Sequence, residues 1–308
     1  MISRRNIRID VLQTIYAMAQ QEATKPQEMA EKRILQRIDE TAALLVVNLH
    51  LLMRLSSFIL NIANKRASKM IRTADDEQVN VKIADNLYIK ALAGNKTFTD
   101  LVKKHVRPEW LDEELLKKIF IPFTETPEYN TYIAQEGRDQ AAEKAILIHM
   151  FDVCITRNEL TQSFLEEHFL YATTDQEMIS GWLDKVLTHA SNFNFNRILS
   201  DEKIEFAREL ILCYYDKKEV VFELIEPKLV NWDADRVAIL DLIILHLGIC
   251  ELLYFEQIPE KVTINEYIDL AKMYSTQQSG QFVNGLLDNV RKELHEQNKI
   301  SKKTGRSN

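Results

Sequence analysis

Three arginines stand within the first eight residues of the chain, with no acidic residue among them. Arg4, Arg5 and Arg8 follow Ser3, a residue type that caps helices, so they are expected in the first turns of a helix. Cations at this end oppose the helix dipole, which favours an anionic partner. Arginine pairs with phosphate and also stacks on or hydrogen-bonds to unstacked bases. The alternative is an ordinary solvated helix start.

The most apolar run, AILDLIILHLGICELLYF at 238–255, carries a thin polar stripe. Asp241, Gly248 and Glu251 follow at helical spacing, and by themselves they indicate the solvent edge of a helix. His246 and Cys250 are four residues apart, as two metal ligands on a helix would be, but no further close ligand pair completes a site. A packed core pair and no metal are therefore predicted. Charged groups in the run also argue against a membrane span.

A third stretch, KVTINEYIDLAKMYSTQQSGQFVNGLLDNV at 261–290, predicts two short helices joined by a polar loop. Thr263 and Glu266 have the T-x-x-E spacing of a helix capping box. In the second helix Phe282 fits the apolar face, whereas Asn284 lies off it. Gly285 costs a helix about 1 kcal/mol relative to alanine, so it is expected where two helices cross closely.

Composition limits the chemistry that these residues could perform. The sequence has no glycine-rich phosphate-binding loop, no H-E-x-x-H and no G-x-S-x-G, so neither an enzyme nor a bound cofactor is predicted. A formal net charge of -7 argues against coating nucleic acid through the overall field, so any nucleic-acid site must be local. The three cysteines, Cys154, Cys213 and Cys250, lie far apart in apolar segments, which favours a reducing cytoplasm.

Seven glycines and six prolines in 308 residues leave few of the turns that sheets need, so an all-α helical bundle is expected. Residues 1–20 form the arginine-rich helix, 21–197 an additional helical region of unknown role, and 198–295 a second helical domain. The basic tail 296–308 is expected to be disordered. A heptad-like stripe over 38–63 permits either an intramolecular hairpin or a homo-oligomer.

Periodicity and breakers also place individual elements. Helices are predicted at about 3–20, 81–93, 201–216, 218–230, 234–255, 264–274 and 280–295. Loops are expected at Gly94, Pro108, Pro122 and Pro127.

Two separated stretches carry a family resemblance. IPEKVTINEYIDLAKMYSTQQSGQFVNGLLDNV resembles the C-terminal signature of the NusB transcription antitermination family, a P-x-K-V-x-I-N-E-x-x-x-L-A-K helix, a polar loop and an F-V-N-G-x-L-D helix. SRRNIRIDVLQTIYAM is similar to that family's arginine-rich opening and its L-Q-x-L-Y helix, at Arg4, Arg5, Arg8, Gln13 and Tyr16. The resemblance covers about 1–20 and 198–295.

The helix between them also matches the family in part. Trp232, Arg236 and Glu251 stand on matching positions, whereas His246 and Cys250 replace the usual arginine and tyrosine. Asn6 likewise replaces a family arginine in the N-terminal helix.

The resemblance implies a small all-helical factor that pairs with a small-subunit ribosomal protein, called NusE in this role. Together they bind the boxA element of nascent RNA and help RNA polymerase pass termination signals. The RNA-binding residues implied in this chain are Arg4, Arg5, Arg8, Tyr16, Phe282 and Asn284, although Phe282 also fits a purely structural role. Asp241 and Glu251 are implied to contact the protein partner.

A second function from another class stays open from the sequence. The chain could serve as a helical protein–protein interaction scaffold in which region 21–197 dominates and RNA binding is weak or lost. The acidic total charge and Asn6 leave room for this alternative.

Overall fold

The computed structural model describes residues 2–21, 25–68, 79–198, 200–229, 238–300 and 302. All regular structure in this part of the chain is helical, which confirms the all-α prediction. The chain divides into two compact units. We call Ile38–Ile198 the central unit, and Ile2–Arg37 with Leu199–Asn308 the terminal unit. Trp232 and Arg236 lie outside the described residues.

The helices have the following bounds in chain order. They are α1 (Arg4–Ala19), α2 (Pro26–Ala67), α3 (Leu87–Gly94), α4 (Lys96–His105), α5 (Glu113–Thr124), α6 (Pro127–Ala134), α7 (Gln140–Phe151), α8 (Glu159–His168), α9 (Ala172–Thr188), α10 (Asp201–Asp216), α11 (Lys218–Ile225), α12 (Ile239–Tyr254), α13 (Glu260–Tyr274) and α14 (Gln277–Glu296). Residues 26–37 of α2 belong to the terminal unit and the rest of α2 to the central unit.

Helix α12 is the core of the terminal unit. It packs against α1, α10, α11, α13 and α14, and it is buried over almost its whole length. A helix that neighbours cover on all sides has no solvated face, which explains the near-continuous apolar sequence of 238–255. The prediction of a buried helix in this segment is confirmed.

Helix α1 begins as the sequence predicts. The Ser3 side chain accepts a hydrogen bond from the Asn6 amide at 3.1 Å, and the Asn6 side chain in turn accepts from the Ser3 amide at 3.2 Å. Two of the unpaired amides at the helix start are thereby satisfied. Ile7, Val11 and Ile15 then face the core of the terminal unit.

Gly248 lies at a close helix crossing, whereas Gly285 does not. A Cβ atom on Gly248 would lie 3.1 Å from Leu287 Cδ2 and 3.4 Å from Tyr267 Cδ2, so α13 and α14 approach the α12 backbone there. A Cβ on Gly285 would meet nothing within 4 Å. The prediction for Gly285 was wrong because helical periodicity does not show which face of α14 meets another helix.

Helix α2 contributes buried residues to the core of the central unit. Its stripe residues Leu45, Leu49, Leu52, Ser56 and Ile59 are buried. Phe58 of the same helix meets Phe120 of α5 edge to face, with 5.8 Å between the ring centroids. The heptad-like stripe therefore packs inside its own unit.

The same helix is long and apolar enough to meet a length-and-composition test for a membrane span, with a mean hydropathy of 1.8 in its most apolar window. Of that window, 72% is buried inside the protein, as expected of a core helix.

One local prediction needs correction. Pro122 lies in the last turn of α5 and not in a loop, whereas Pro127 begins α6 and Pro108 begins a 3₁₀ turn. The disorder expected of tail residues 296–308 stays a prediction, and beyond residue 300 the structure describes only Lys302. Lys302 Nζ donates hydrogen bonds to the carbonyl oxygens of Glu251, at 2.7 Å, and Phe255, at 3.0 Å, near the C-terminal end of α12. Residues 303–308 lie outside the described part.

Candidate RNA interface

Arg4 is held at the start of α1 by an acid from another helix. Its Nη2 lies 2.5 Å from Oε1 of Glu202, which stands in the first turn of α10. The guanidinium also lies 5.7 Å from the centre of the Phe206 ring. About a third of the Arg4 side chain stays exposed, so the cation remains within reach of a ligand.

Arg5 makes a similar contact with α13. Its Nη1 lies 3.1 Å from Asp269 Oδ2 and 3.8 Å from Glu266 Oε1. Its side chain is 39% exposed and that of Asp269 is 47% exposed, so this pair lies at the surface. Arg4 and Arg5 thus form the accessible part of the arginine cluster.

Arg8 has a different environment, because its side chain is only 3% exposed. Nε and Nη2 donate to the two carboxylate oxygens of Glu251 at 2.8 and 2.7 Å. The guanidinium also lies 5.5 Å from the centre of the Phe206 ring and 5.9 Å from that of Tyr267. This buried pair corrects two predictions: Arg8 does not face an RNA ligand, and Glu251 does not face a protein partner.

Glu251 is fully buried and accepts further hydrogen bonds from α13. Thr263 Oγ1 donates to it at 2.7 Å, and the Tyr267 hydroxyl donates at 3.3 Å. Burial, together with the charge of Glu251, raises the pKa of Tyr267 well above its ordinary value, so the phenol stays a neutral donor. A buried charge is tolerated when it is paired and hydrogen-bonded in this way.

The same contacts correct the capping box predicted at Thr263 and Glu266. Helix α13 begins a turn earlier, at Glu260 after Pro259, so Thr263 lies inside the helix. The Thr263 hydroxyl donates a hydrogen bond to Glu251, and the Glu266 carboxylate lies beside Arg5 and Arg8. A true capping box occurs at Thr276 and Ser279, where α14 begins.

A groove of about 530 Å³ lies where α13 meets α14, and we call it the amide groove. It is lined by Asn265, Ile268, Asp269, Lys272, Gly280, Gln281 and Asn284. Asn284 is exposed in it. Asp269 lines this groove and also binds Arg5, so the fold brings the arginine-rich start of the chain to the rim of the groove that holds Asn284.

A second groove of about 440 Å³, which we call the phenylalanine groove, shares Gln281 with the first. It is lined by Lys228, Gln278, Gln281, Phe282, Gly285, Leu286 and Asn289. Phe282 is 8% exposed, so most of its ring belongs to the core and its edge lines the groove. The absence of a side chain at Gly285 leaves space in this groove, which is the observed consequence of the glycine.

Tyr16 is half-buried on α1. It follows Arg5 by eleven residues, which is close to three full helical turns, so the two residues share one face of the helix. This places Tyr16 on the face of α1 that carries Arg5.

Asp241 lies in the first turn of α12 and is 6% exposed. Its Oδ2 accepts a hydrogen bond from Ser279 Oγ at 2.8 Å. Its Oδ1 is buried without a hydrogen-bond partner among the described residues. Both acids predicted to contact a protein partner are therefore buried, Asp241 at 6% exposure and Glu251 completely.

The other notable pair on α12 packs into the core. His246 is 7% exposed and lies against Tyr214, with 4.4 Å between the ring centroids. Burial, with a smaller contribution from Lys218, lowers the pKa of His246 to about 4, so the imidazole is neutral at physiological pH. Cys250 is completely buried.

The acids that pair with the arginines were not predicted from the sequence. Glu202, Glu266 and Asp269 come from α10 and α13, at least 194 positions away along the chain from Arg8. The only local signal was the i, i+3 spacing of Glu266 and Asp269, which places both on one helix face but does not show what that face meets.

The surface formed by Arg4, Arg5 and the amide groove combines cations with amide side chains. Arg4 and Arg5 can contact phosphate, and the amides of Asn284, Gln281 and Asn265 can donate to and accept from base edges. These cations form a local group on a chain of negative net charge.

The chain is similar to proteins of one known family. A family model described as the NusB family matches residues 168–292. The transcription antitermination protein NusB of Finegoldia magna is 42% identical over 94 residues, which make up 30% of this chain and 69% of that protein. The corresponding protein of Bacillus mycoides is 38% identical over 94 residues, or 30% of this chain and 72% of that protein.

The NusB protein of Salinibacter ruber is 41% identical over 102 residues, covering 33% of this chain and 63% of that protein. No solved structure matches the chain. Because more than two thirds of the first two relatives match at 38% identity or better, the chain belongs to the NusB family.

Proposed function

We propose that this protein is a transcription antitermination factor that binds boxA-like single-stranded RNA of nascent transcripts together with the small-subunit ribosomal protein NusE. In this role it promotes read-through by RNA polymerase and acts by binding, without catalysis or a cofactor. Family membership supports the general role, since the relatives carry the name transcription antitermination protein.

The observation that carries the RNA-binding part is the contact between Arg5 and Asp269. It joins the N-terminal arginines to the amide groove, which holds the exposed Asn284. Cations beside a row of amides suit a ligand with both phosphates and base edges. We propose Arg4, Arg5, Tyr16, Phe282 and Asn284 as the RNA contacts, with Arg8 holding the helix that carries them.

For the protein partner we retain Asp241. It lies in the first turn of α12 and is 6% exposed, so a partner would contact only the exposed edge of this residue. Glu251 supports this region from inside the fold. We further propose that the central unit is an addition to the family domain, since most of it lies outside residues 168–292.

A gel-shift with leader RNA, with and without the purified ribosomal protein, tests this function. We expect a shift that strengthens when the partner is present and weakens between low and high salt, as phosphate contacts require. The double variant Arg4→Gln, Arg5→Gln should lose the shift. Lys32→Gln, at an exposed lysine on α2, is the control for lost charge. Absence of any shift with the partner present would favour the interaction scaffold instead.

A further inference from the structure

The first turn of α1 contains no acidic residue of its own, yet it is surrounded by carboxylates from other helices. Glu202 of α10 reaches Arg4, and Asp269 of α13 reaches Arg5. A helix N-terminus carries partial positive charge, and two arginines add to it. The acids therefore occupy positions where an anion is favoured, and a phosphate group suits the same positions.

The Arg4–Glu202 and Arg5–Asp269 pairs are exposed, whereas the Arg8–Glu251 pair is buried. The side chains of Arg4 and Glu202 are 33% and 73% exposed, and those of Arg5 and Asp269 are 39% and 47% exposed. Arg8 and Glu251 are 3% and 0% exposed. Exposed acids can rotate into water when another anion arrives, because their carboxylates recover hydration. The carboxylate of Glu251 is buried and cannot rotate into water in this way.

Asp269 has a second relevant position, since it also lines the amide groove beside Lys272 and Asn284. A carboxylate there repels the backbone of a nucleic acid until it is displaced or neutralised. The two acids thus lower the affinity of the site for any polyanion that does not gain enough from base contacts.

We infer that Glu202 and Asp269 are affinity-setting residues that bind Arg4 and Arg5 in the free protein and give way to RNA phosphates. The inference rests on the proposed RNA-binding function and adds an intramolecular competitor to it. It differs from a positioning role, in which the acids would hold the arginines in their working orientation and their removal would weaken binding.

The test compares the full-length wild-type chain with Glu202→Gln, Asp269→Asn and the double variant. Affinity for a boxA-like leader RNA is measured with the purified ribosomal protein at two salt concentrations. Exposed ion pairs contribute about 0.2–1 kcal/mol, so each single variant should bind RNA about 1.4- to 5-fold more tightly at low salt. The gain should shrink at high salt because screening already weakens the carboxylates.

Glu223→Gln on α11 is the matched control, because it makes the same change in net charge at an exposed acid of the same unit. Far-ultraviolet circular dichroism establishes that each variant is folded. Unchanged or weaker RNA binding by folded Glu202→Gln and Asp269→Asn would overturn the inference, and so would an equal gain in Glu223→Gln. Failure of the wild-type protein to bind the RNA with its partner would instead overturn the proposed function.

Discussion

Arg8 and Glu251 form a buried bidentate ion pair between α1 and α12, with nitrogen–oxygen distances of 2.8 and 2.7 Å. It connects two residues 243 positions apart in the chain. The pair joins the arginine-rich helix to the core helix of the terminal unit, so the exposed arginines beside it have a rigid base.

Arg8→Ala should destabilise the terminal unit by about 3–5 kcal/mol, because it leaves the charge of Glu251 buried without its partner. Urea unfolding followed by circular dichroism measures this. Arg4→Ala is the control and should change the free energy of unfolding by about 1 kcal/mol or less, since its ion pair is exposed. Equal unfolding midpoints for Arg8→Ala and the wild type would contradict the structural role.

Arg5→Gln should weaken RNA binding without loss of helicity. One cation leaves the interface, so the slope of log affinity against log salt concentration should fall in magnitude by about 1. Filter binding over a salt series gives both quantities. Lys32→Gln should keep the wild-type slope, and a slope unchanged in Arg5→Gln would remove Arg5 from the interface.

Gly248→Ala and Gly285→Ala should have opposite effects on stability. The new Cβ at position 248 would press on Leu287 and Tyr267, with an expected loss of about 1–3 kcal/mol. At position 285 it would meet only open space, so the better helix propensity of alanine should add up to about 1 kcal/mol. Thermal unfolding of the two variants and the wild type measures both changes in stability. A stabilised Gly248→Ala would show that the helix crossing is looser than observed.

Asn284→Ala should lower RNA affinity and leave the melting temperature unchanged, since the side chain is exposed and makes its proposed contribution only to the ligand. Asn289→Ala, at another exposed amide on the same helix but in the phenylalanine groove, separates the two grooves. Fluorescence anisotropy with labelled leader RNA provides the measurement. If both variants bind as the wild type does, neither Asn284 nor Asn289 contacts the RNA.

His246 should make the stability of the terminal unit depend on pH. Its pKa is about 4 in the folded chain and 6.5 when exposed, so the unfolded chain binds more protons between these values. The stability contribution is full above pH 6.5 and is lost as pH falls toward 4, by about 3 kcal/mol. His246→Gln should flatten this part of the profile in urea unfolding between pH 7 and 4. An identical profile in the variant would assign the dependence to other groups.

Much of the secondary structure follows from local pattern. The helix predicted at 201–216 is observed at Asp201–Asp216, and the one predicted at 3–20 at Arg4–Ala19. These succeed because helical periodicity, capping residues and breakers act within a few positions of each other. Thr263 shows the limit of local pattern. Its T-x-x-E spacing predicts a helix cap, but the Thr263 hydroxyl binds Glu251 of α12 and the Glu266 carboxylate pairs with Arg8 of α1.

By itself, the sequence determined that this chain is helical and that it resembles one family. It also showed arginines near the start of the chain and an F-V-N-G segment at 282–285. Only the tertiary structure decided that Arg8 is buried while Arg4 and Arg5 are exposed, and that Gly248 rather than Gly285 marks the close crossing. The physical reason is that exposure and ion pairing depend on which helix faces meet. The ion pairs of Arg4, Arg5 and Arg8 join residues 198, 264 and 243 positions apart, and no local pattern of residue types records them.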